Sequence, residues 1–199
     1  RAQGCHAIRP IPPVFRHRVP SAPMEIRLAR SGDAEAIRAI YNHEVRTSTA
    51  TFDIVERSVA AQEIWMADRS GAFSVLVAVE GGPDDQVVDD GPDGQVIMGF
   101  ASLSPFRERA AYRSTVENSI YVADGYRSRG VADRLMGDLV KVARTSGFHS
   151  VIARIGGGNE ASTTLHAKHG FVEVGVERQV GRKFNRWVDV TIMQLVFDD

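Results

Sequence analysis

The sequence predicts an α+β fold of the three-layer α/β kind, with a mixed central sheet of about six to seven strands flanked by about four helices. Three observations predict it. From residue 24 onward, short apolar or alternating segments recur between glycine-bearing turns, as strands do. A long amphipathic helical pattern over 127–146 lies between two of these segments, which is what a β-α-β crossover needs. The segments before it form a meander and those after it a hairpin, so parallel and antiparallel pairing are mixed.

Each element has its own signal. Met24–Ala29 (MEIRLA) alternates apolar and polar residues and reads as a strand. Ser31 is the expected N-cap of a helix carrying Ala34, Ile37, Ile40 and Tyr41 at helical spacing. Ser58 opens a second helix containing Ile64 and Trp65. Phe73–Glu80 and Val96–Ser104 are strands, and Thr115–Ala123 is a third. The 127–146 helix places Val131, Leu135, Leu139, Val142 and Ala143 on one face and ends at Gly147. Ser150–Ile155 is a short apolar strand, Glu160–His169 a short helix stopped by Gly170, and Phe171–Gln179 and Trp187–Phe197 are the final strands.

Composition bounds the function. The 199 residues are 43% hydrophobic with a net charge of -1, which suits one globular domain with a real core. No apolar run approaches the roughly 18–20 residues needed to span a bilayer, so a membrane protein is excluded. Nor is there a basic footprint for nucleic acid. The only cysteine is Cys5, so from residue 24 on there is no thiol nucleophile, disulfide or thiolate metal site. A reducing, cytoplasmic setting is compatible with that. Residues 1–23 carry four arginines, no acid and five of the eight prolines. They read as a disordered N-terminal extension to a domain over 24–199. Residues 81–95 hold five aspartates and no base, and read as a long solvated hairpin loop inserted in the domain. Their spacing fits no EF-hand, and no metal site is expected.

The most informative stretch is Tyr121–Met136, YVADGYRSRGVADRLM. A strand runs into a loop, and a helix starts on Arg127-Ser128-Arg129-Gly130-Val131-Ala132. Small residues at 128, 130 and 132 let a ligand approach the backbone, where successive N–H groups and the helix dipole face an anion. The pattern is neither a Walker loop nor GxGxxG, and an ordinary loop with a glycine near a helix start explains it equally well. Glu117 is an acid inside a strand. It is either solvent-facing or used, because an unpaired buried carboxylate is costly.

With R-x-x-G-x-A after a strand, Asn159 about 30 residues on, and then LHAKHGF (Leu165–Phe171), the chain resembles the GNAT superfamily of acetyl-CoA-dependent N-acetyltransferases. Tyr41-Asn42, TSTATF (Thr47–Phe52), TVENSIYV (Thr115–Val122) and KFNRWVDV (Lys183–Val190) sharpen the likeness to the phosphinothricin and L-methionine sulfone (sulfoximine) acetyltransferase group. Similarity covers 24–197. The 1–23 and 81–95 segments depart from the usual family length.

The resemblance implies a GNAT fold that moves an acetyl group from acetyl-CoA directly to the α-amine of a small amino-acid-like acceptor. Acetyl transfer to an amine needs a base, because an ammonium cannot attack, donors for the oxyanion, and a proton for the departing thiolate. Glu117 matches the family's base, and His166 stands where many relatives have the tyrosine that protonates the thiolate. His166 can alternatively be a polar residue near the cofactor mouth. Acetyl-CoA would lie along Ile120, Tyr121 and Val122, with Val122 N–H polarising the thioester. It would continue over Arg127, Ser128, Arg129, Gly130, Val131, Ala132 and Asp133, with Asn159 capping a helix and meeting the pantetheine.

For the acceptor, Arg107 or Arg109 would clamp an α-carboxylate, with Tyr112, Phe52 and Glu117 nearby. Each of those arginines can equally be a solvated loop residue. Trp187 is a further wall candidate, His43 could face the cleft, and His169, Arg178, Arg182 and Lys183 read as structural or surface groups. Family members are usually homodimers. The alternatives are a GNAT enzyme for another amine (polyamine, aminoglycoside or protein N-terminus) and a non-catalytic acyl-CoA sensor.

Overall fold

A computed structural model describes residues 24–80 and 95–198. The expectations for 1–23 and for all but the last residue of 81–95 lie outside the described residues.

Seven strands form one sheet in the order β1-β2-β3-β4-β5-β7-β6. They are β1 (Met24–Leu28), β2 (Val75–Glu80), β3 (Ile97–Pro105), β4 (Thr115–Val122), β5 (Ser150–Gly156), β6 (Val172–Lys183) and β7 (Arg186–Val196). The helices are α1 (Ala34–Thr47), α2 (Val59–Ala67), α3 (Val131–Thr145) and α4 (Glu160–Lys168). All pairings are antiparallel except β4 with β5, which α3 connects as the crossover.

The layers follow from which side chains each strand sends to which face. In β2, VLVAVE, Leu76 and Ala78 join the core under α3, while Val75, Val77 and Val79 join the core under α1 and α2. A strand covered on both faces has no need to alternate, and this one does not. α3 buries Val131, Leu135, Met136, Leu139 and Ala143 against β1, β2, β3 and β4; Met136 joins the stripe the periodicity marks, and Val142 is only partly buried.

Most boundaries fall within a residue or two of the sequence reading, β2 starting at Val75 and not Phe73, and three differ in kind. Ser31 lies in a 3-10 turn, and the turn before α1 is closed instead by Asp33, whose carboxylate accepts Arg30 N–H at 2.7 Å. α3 starts at Val131, because Ser128 and Gly130 take left-handed φ values of 60° and 82° that no helix can contain. β6 runs on to Lys183 through an irregularity near Gln179, and a tight turn follows with Phe184 and Asn185 both at positive φ. That conformation belongs to the two-residue hairpin turns, written here without the usual glycine.

One topological feature positions the site. β4 pairs with β3 over seven positions, but with β5 only from Thr115↔Ser150 to Glu117↔Ile152. Beyond Glu117 the two strands part.

Candidate active site

The wedge between the parted strands opens into a cleft of about 880 Å³. Its floor is β4 from Glu117 to Val122 and β5 from Ala153 to Gly156. α3 supplies one end, α4 one side, and the 48–52 segment the other.

At the α3 end, Gly130 turns the chain and the first intrahelical bond runs from Arg134 N–H to Gly130 O at 3.1 Å. The N–H groups of Val131, Ala132 and Asp133 therefore have no partner within the helix, and all three residues line the cleft. An anion such as a pyrophosphate fits this terminus. Arg127 also borders the cleft, ion-paired to the buried Glu44 of α1 and to Asp124 at 3.2 Å. Asp133 is held by Lys168 (2.8 Å) and His169 (2.9 Å), which keep its carboxyl below the usual range. Arg129 is not among the lining residues, and its guanidinium lies 5.1 Å over the Tyr126 ring.

At the centre, Glu117 is partly buried on the floor, and desolvation raises its pKa. Arg154 opposes that rise and Glu177 adds to it. Asn118, the next residue, faces the opposite side of the sheet and meets α4. His166 is 5% exposed, and burial lowers its pKa, so the ring is neutral near pH 7. Its Nδ1–H donates to the Ser162 carbonyl at 2.7 Å, which leaves Nε2 to accept from Asn118 Nδ2–H at 3.0 Å. Asn118 Oδ1 is buried and unpartnered among the described residues. Asn159 caps α4 through Ser162 N–H at 3.1 Å and lies on the cleft.

At the far end Phe52 forms a wall. A Cβ on Gly181 would overlap its ring, so that glycine seats Phe52, while one on Gly156 would meet the Thr49 carbonyl oxygen at 2.5 Å and the Phe52 ring at 3.1 Å. Lys183, almost fully buried, donates to the carbonyls of Thr51 (2.8 Å) and Glu44 (3.4 Å), which ties the β6–β7 hairpin to the 48–52 segment. Arg154 of β5 lines the cleft and forks onto Glu177 of β6 at 3.1 and 2.5 Å. Arg107, Arg109 and Tyr112 do not line the cleft. Arg107 stacks within 5.0 Å of Phe106 and 5.7 Å of Tyr112. His43 is also absent from the lining, and Trp187 is exposed outside it.

The structure thus brings together Glu117, Ile120–Val122, Arg127, Ser128, Gly130–Asp133, Asn159, His166 and Phe52. Sequence reasoning missed Glu44, Asn118 and Arg154. Glu44 had a signal, an acid at helical spacing from Ile40 and Tyr41 on the apolar face of α1. Arg154 had one too, a cation inside the apolar strand SVIARIG.

The family profile described as "Acetyltransferase (GNAT) domain" matches residues 26–192. The chain is 36% identical over 177 residues to the L-amino acid N-acyltransferase MnaT of Escherichia coli, covering 88% of this chain and 95% of that one. It is also 36% identical over 174 residues to the L-methionine sulfoximine/L-methionine sulfone acetyltransferase of Pseudomonas aeruginosa, covering 87% and 94%. Among solved structures, yncA of Salmonella typhimurium, a putative acetyltransferase with its cofactor acetyl-CoA, superposes with a TM-score of 0.79 at 34% identity, covering 88% of this chain and 95% of that one. A wedge in the sheet, a helix start with unpaired N–H groups and a partly buried carboxyl beside them suit acetyl transfer, and with these likenesses they place the chain in the GNAT family of acetyl-CoA-dependent N-acetyltransferases.

Proposed function

We propose that the acceptor is the α-amine of a small amino-acid-like molecule of the methionine sulfone, methionine sulfoximine or phosphinothricin type, acetylated directly in a ternary complex. Glu117 carries the reading. It is a carboxyl on the cleft floor, its pKa raised by burial, at the point where β4 and β5 separate. A base of raised pKa takes a proton from an ammonium more readily than an ordinary carboxylate does. Direct transfer is supported by the absence of any cysteine from residue 24 on.

The remaining roles follow from geometry. Acetyl-CoA supplies the thioester. The unpartnered N–H groups at the start of α3 bind its pyrophosphate, and the free edge of β4 at Ile120–Val122 pairs with its amide arm. Asn159 stands along the same path. His166, with Nδ1–H committed to a carbonyl and Nε2 accepting from Asn118, orients Asn118 and does not itself hand a proton to the thiolate. The same reading carries a homodimeric, cytoplasmic enzyme, on family resemblance alone.

The test is CoA release from acetyl-CoA against methionine sulfone, methionine sulfoximine, phosphinothricin, spermidine, an aminoglycoside and a basic peptide. Turnover confined to the first three is expected. Turnover confined to the last three refutes the acceptor class.

A further inference from the structure

The cleft contains a cation that the chemistry above does not use. Along β5, Val151, Ala153 and Ile155 point into the core under α3, so Ile152, Arg154 and Gly156 share the opposite face. Ile152 is the register partner of Glu117, and Gly156 lies beneath the Phe52 ring. Arg154 therefore stands between the base and the far wall, level with the opening of the wedge.

Two cationic side chains border the cleft among the described residues, Arg127 and Arg154. Arg127 is at the α3 end and is already paired with Glu44 and Asp124. Arg154 has one hydrogen-bond partner among the described residues, Glu177, which takes one N–H from each terminal nitrogen, and it also feels the charge of Glu117. A guanidinium has five N–H donors. The Nε–H and one hydrogen on each terminal nitrogen stay available, while the fork to Glu177 fixes the plane in which they point.

We propose that Arg154, held by Glu177, receives the carboxylate of the acceptor. This rests on the amino-acid reading above and names the group that enforces it. A zwitterion would then lie with its ammonium toward Glu117 and its carboxylate toward Arg154. The arginines of the 106–112 loop, which the sequence offered for that role, do not border the cleft.

The experiment compares methionine sulfone with its α-carboxamide, in the full chain and in Arg154→Gln. The native enzyme is expected to prefer the acid. In Arg154→Gln the ratio of kcat/KM, acid over amide, should fall at least about tenfold, chiefly through KM, because a charge-assisted bond is lost for one acceptor and not for the other. Acetyl-CoA affinity should stay within twofold and reports the fold. Arg154→Lys, which keeps the charge but not the fork, carries the same test if the glutamine variant does not fold, and should lose part of the preference. A native-like ratio in either folded variant overturns the proposal and leaves the acceptor class standing. A native enzyme that acetylates neither compound overturns the acceptor class, and the proposal with it.

Discussion

Gly130 and Gly147 make a matched pair that separates backbone strain from ligand binding. Gly130 precedes α3 with φ +82°, and Gly147 follows it with φ +79°. A Cβ on either meets nothing within 4 Å. Alanine at each position should therefore cost the same, the left-handed penalty of about 1–2 kcal/mol. In a domain of this size that lowers Tm by roughly 2–8 °C. Only Gly130 borders the cleft, where an added methyl lies beside the N–H groups of 131–133. Gly130→Ala should raise the acetyl-CoA Kd at least about tenfold, or 1.4 kcal/mol, while Gly147→Ala leaves it within twofold. Gly130→Asp should weaken binding further by adding a negative charge at the positive end of α3. Thermal unfolding reads the first quantity and calorimetric titration the second. If Gly130→Ala loses stability like its partner yet keeps the native Kd, the helix start is not the pyrophosphate site.

Further outcomes follow from the same geometry at three residues. Glu117→Gln should lower kcat/KM by about 10²–10⁴ with acetyl-CoA binding intact. In the native enzyme log kcat/KM should climb with pH past the ordinary carboxylate range, because the raised pKa delays ionisation. Stability runs the opposite way. The folded state holds this proton to higher pH than the unfolded chain, so the contribution of Glu117 is full below the ordinary carboxylate pKa and is lost as pH rises through the raised one. Denaturant titrations across that window should show the slope in the native enzyme and not in Glu117→Gln. His166→Gln should lower kcat less than tenfold and leave any alkaline limb of the pH profile in place; disappearance of that limb would restore His166 as the proton donor. Gly181→Val should displace Phe52, raising the acceptor KM with no change in acetyl-CoA Kd; an unmoved acceptor KM removes Phe52 from the acceptor wall.

Most of the fold was legible because its signals are local. Alternation in MEIRLA, the stripe on α3 and the continuous apolar run in β2 each report burial within one segment. Boundaries failed where backbone chemistry overrode pattern. Ser128 and Gly130 delay α3 past the residues that periodicity includes, and the Phe184–Asn185 turn hides the length of β6 behind residues that rarely make such a turn. The site was half legible. Glu117 and the helix start lie in contiguous motifs. Arg154 and Glu177 are 23 residues apart, on strands separated by β7, and only the sheet order brings them together. The Asn118–His166 contact likewise depends on α4 docking over β4, which no single segment encodes.

The brief pairing of β4 with β5 has a further consequence: it makes the sheet a measuring rod. From Val122 to Glu117 the strand rises about 17 Å at its usual pitch, and past the Glu117–Ile152 pair β4 and β5 are no longer paired with each other. On the proposed placement of the donor's phosphates at α3, the slot favours a long, narrow molecule that can lie along this edge. On that placement, a shorter thiol carrier held at the same end would stop short of Glu117. The proposed site would then read its donor through backbone spacing and its acceptor through side chains.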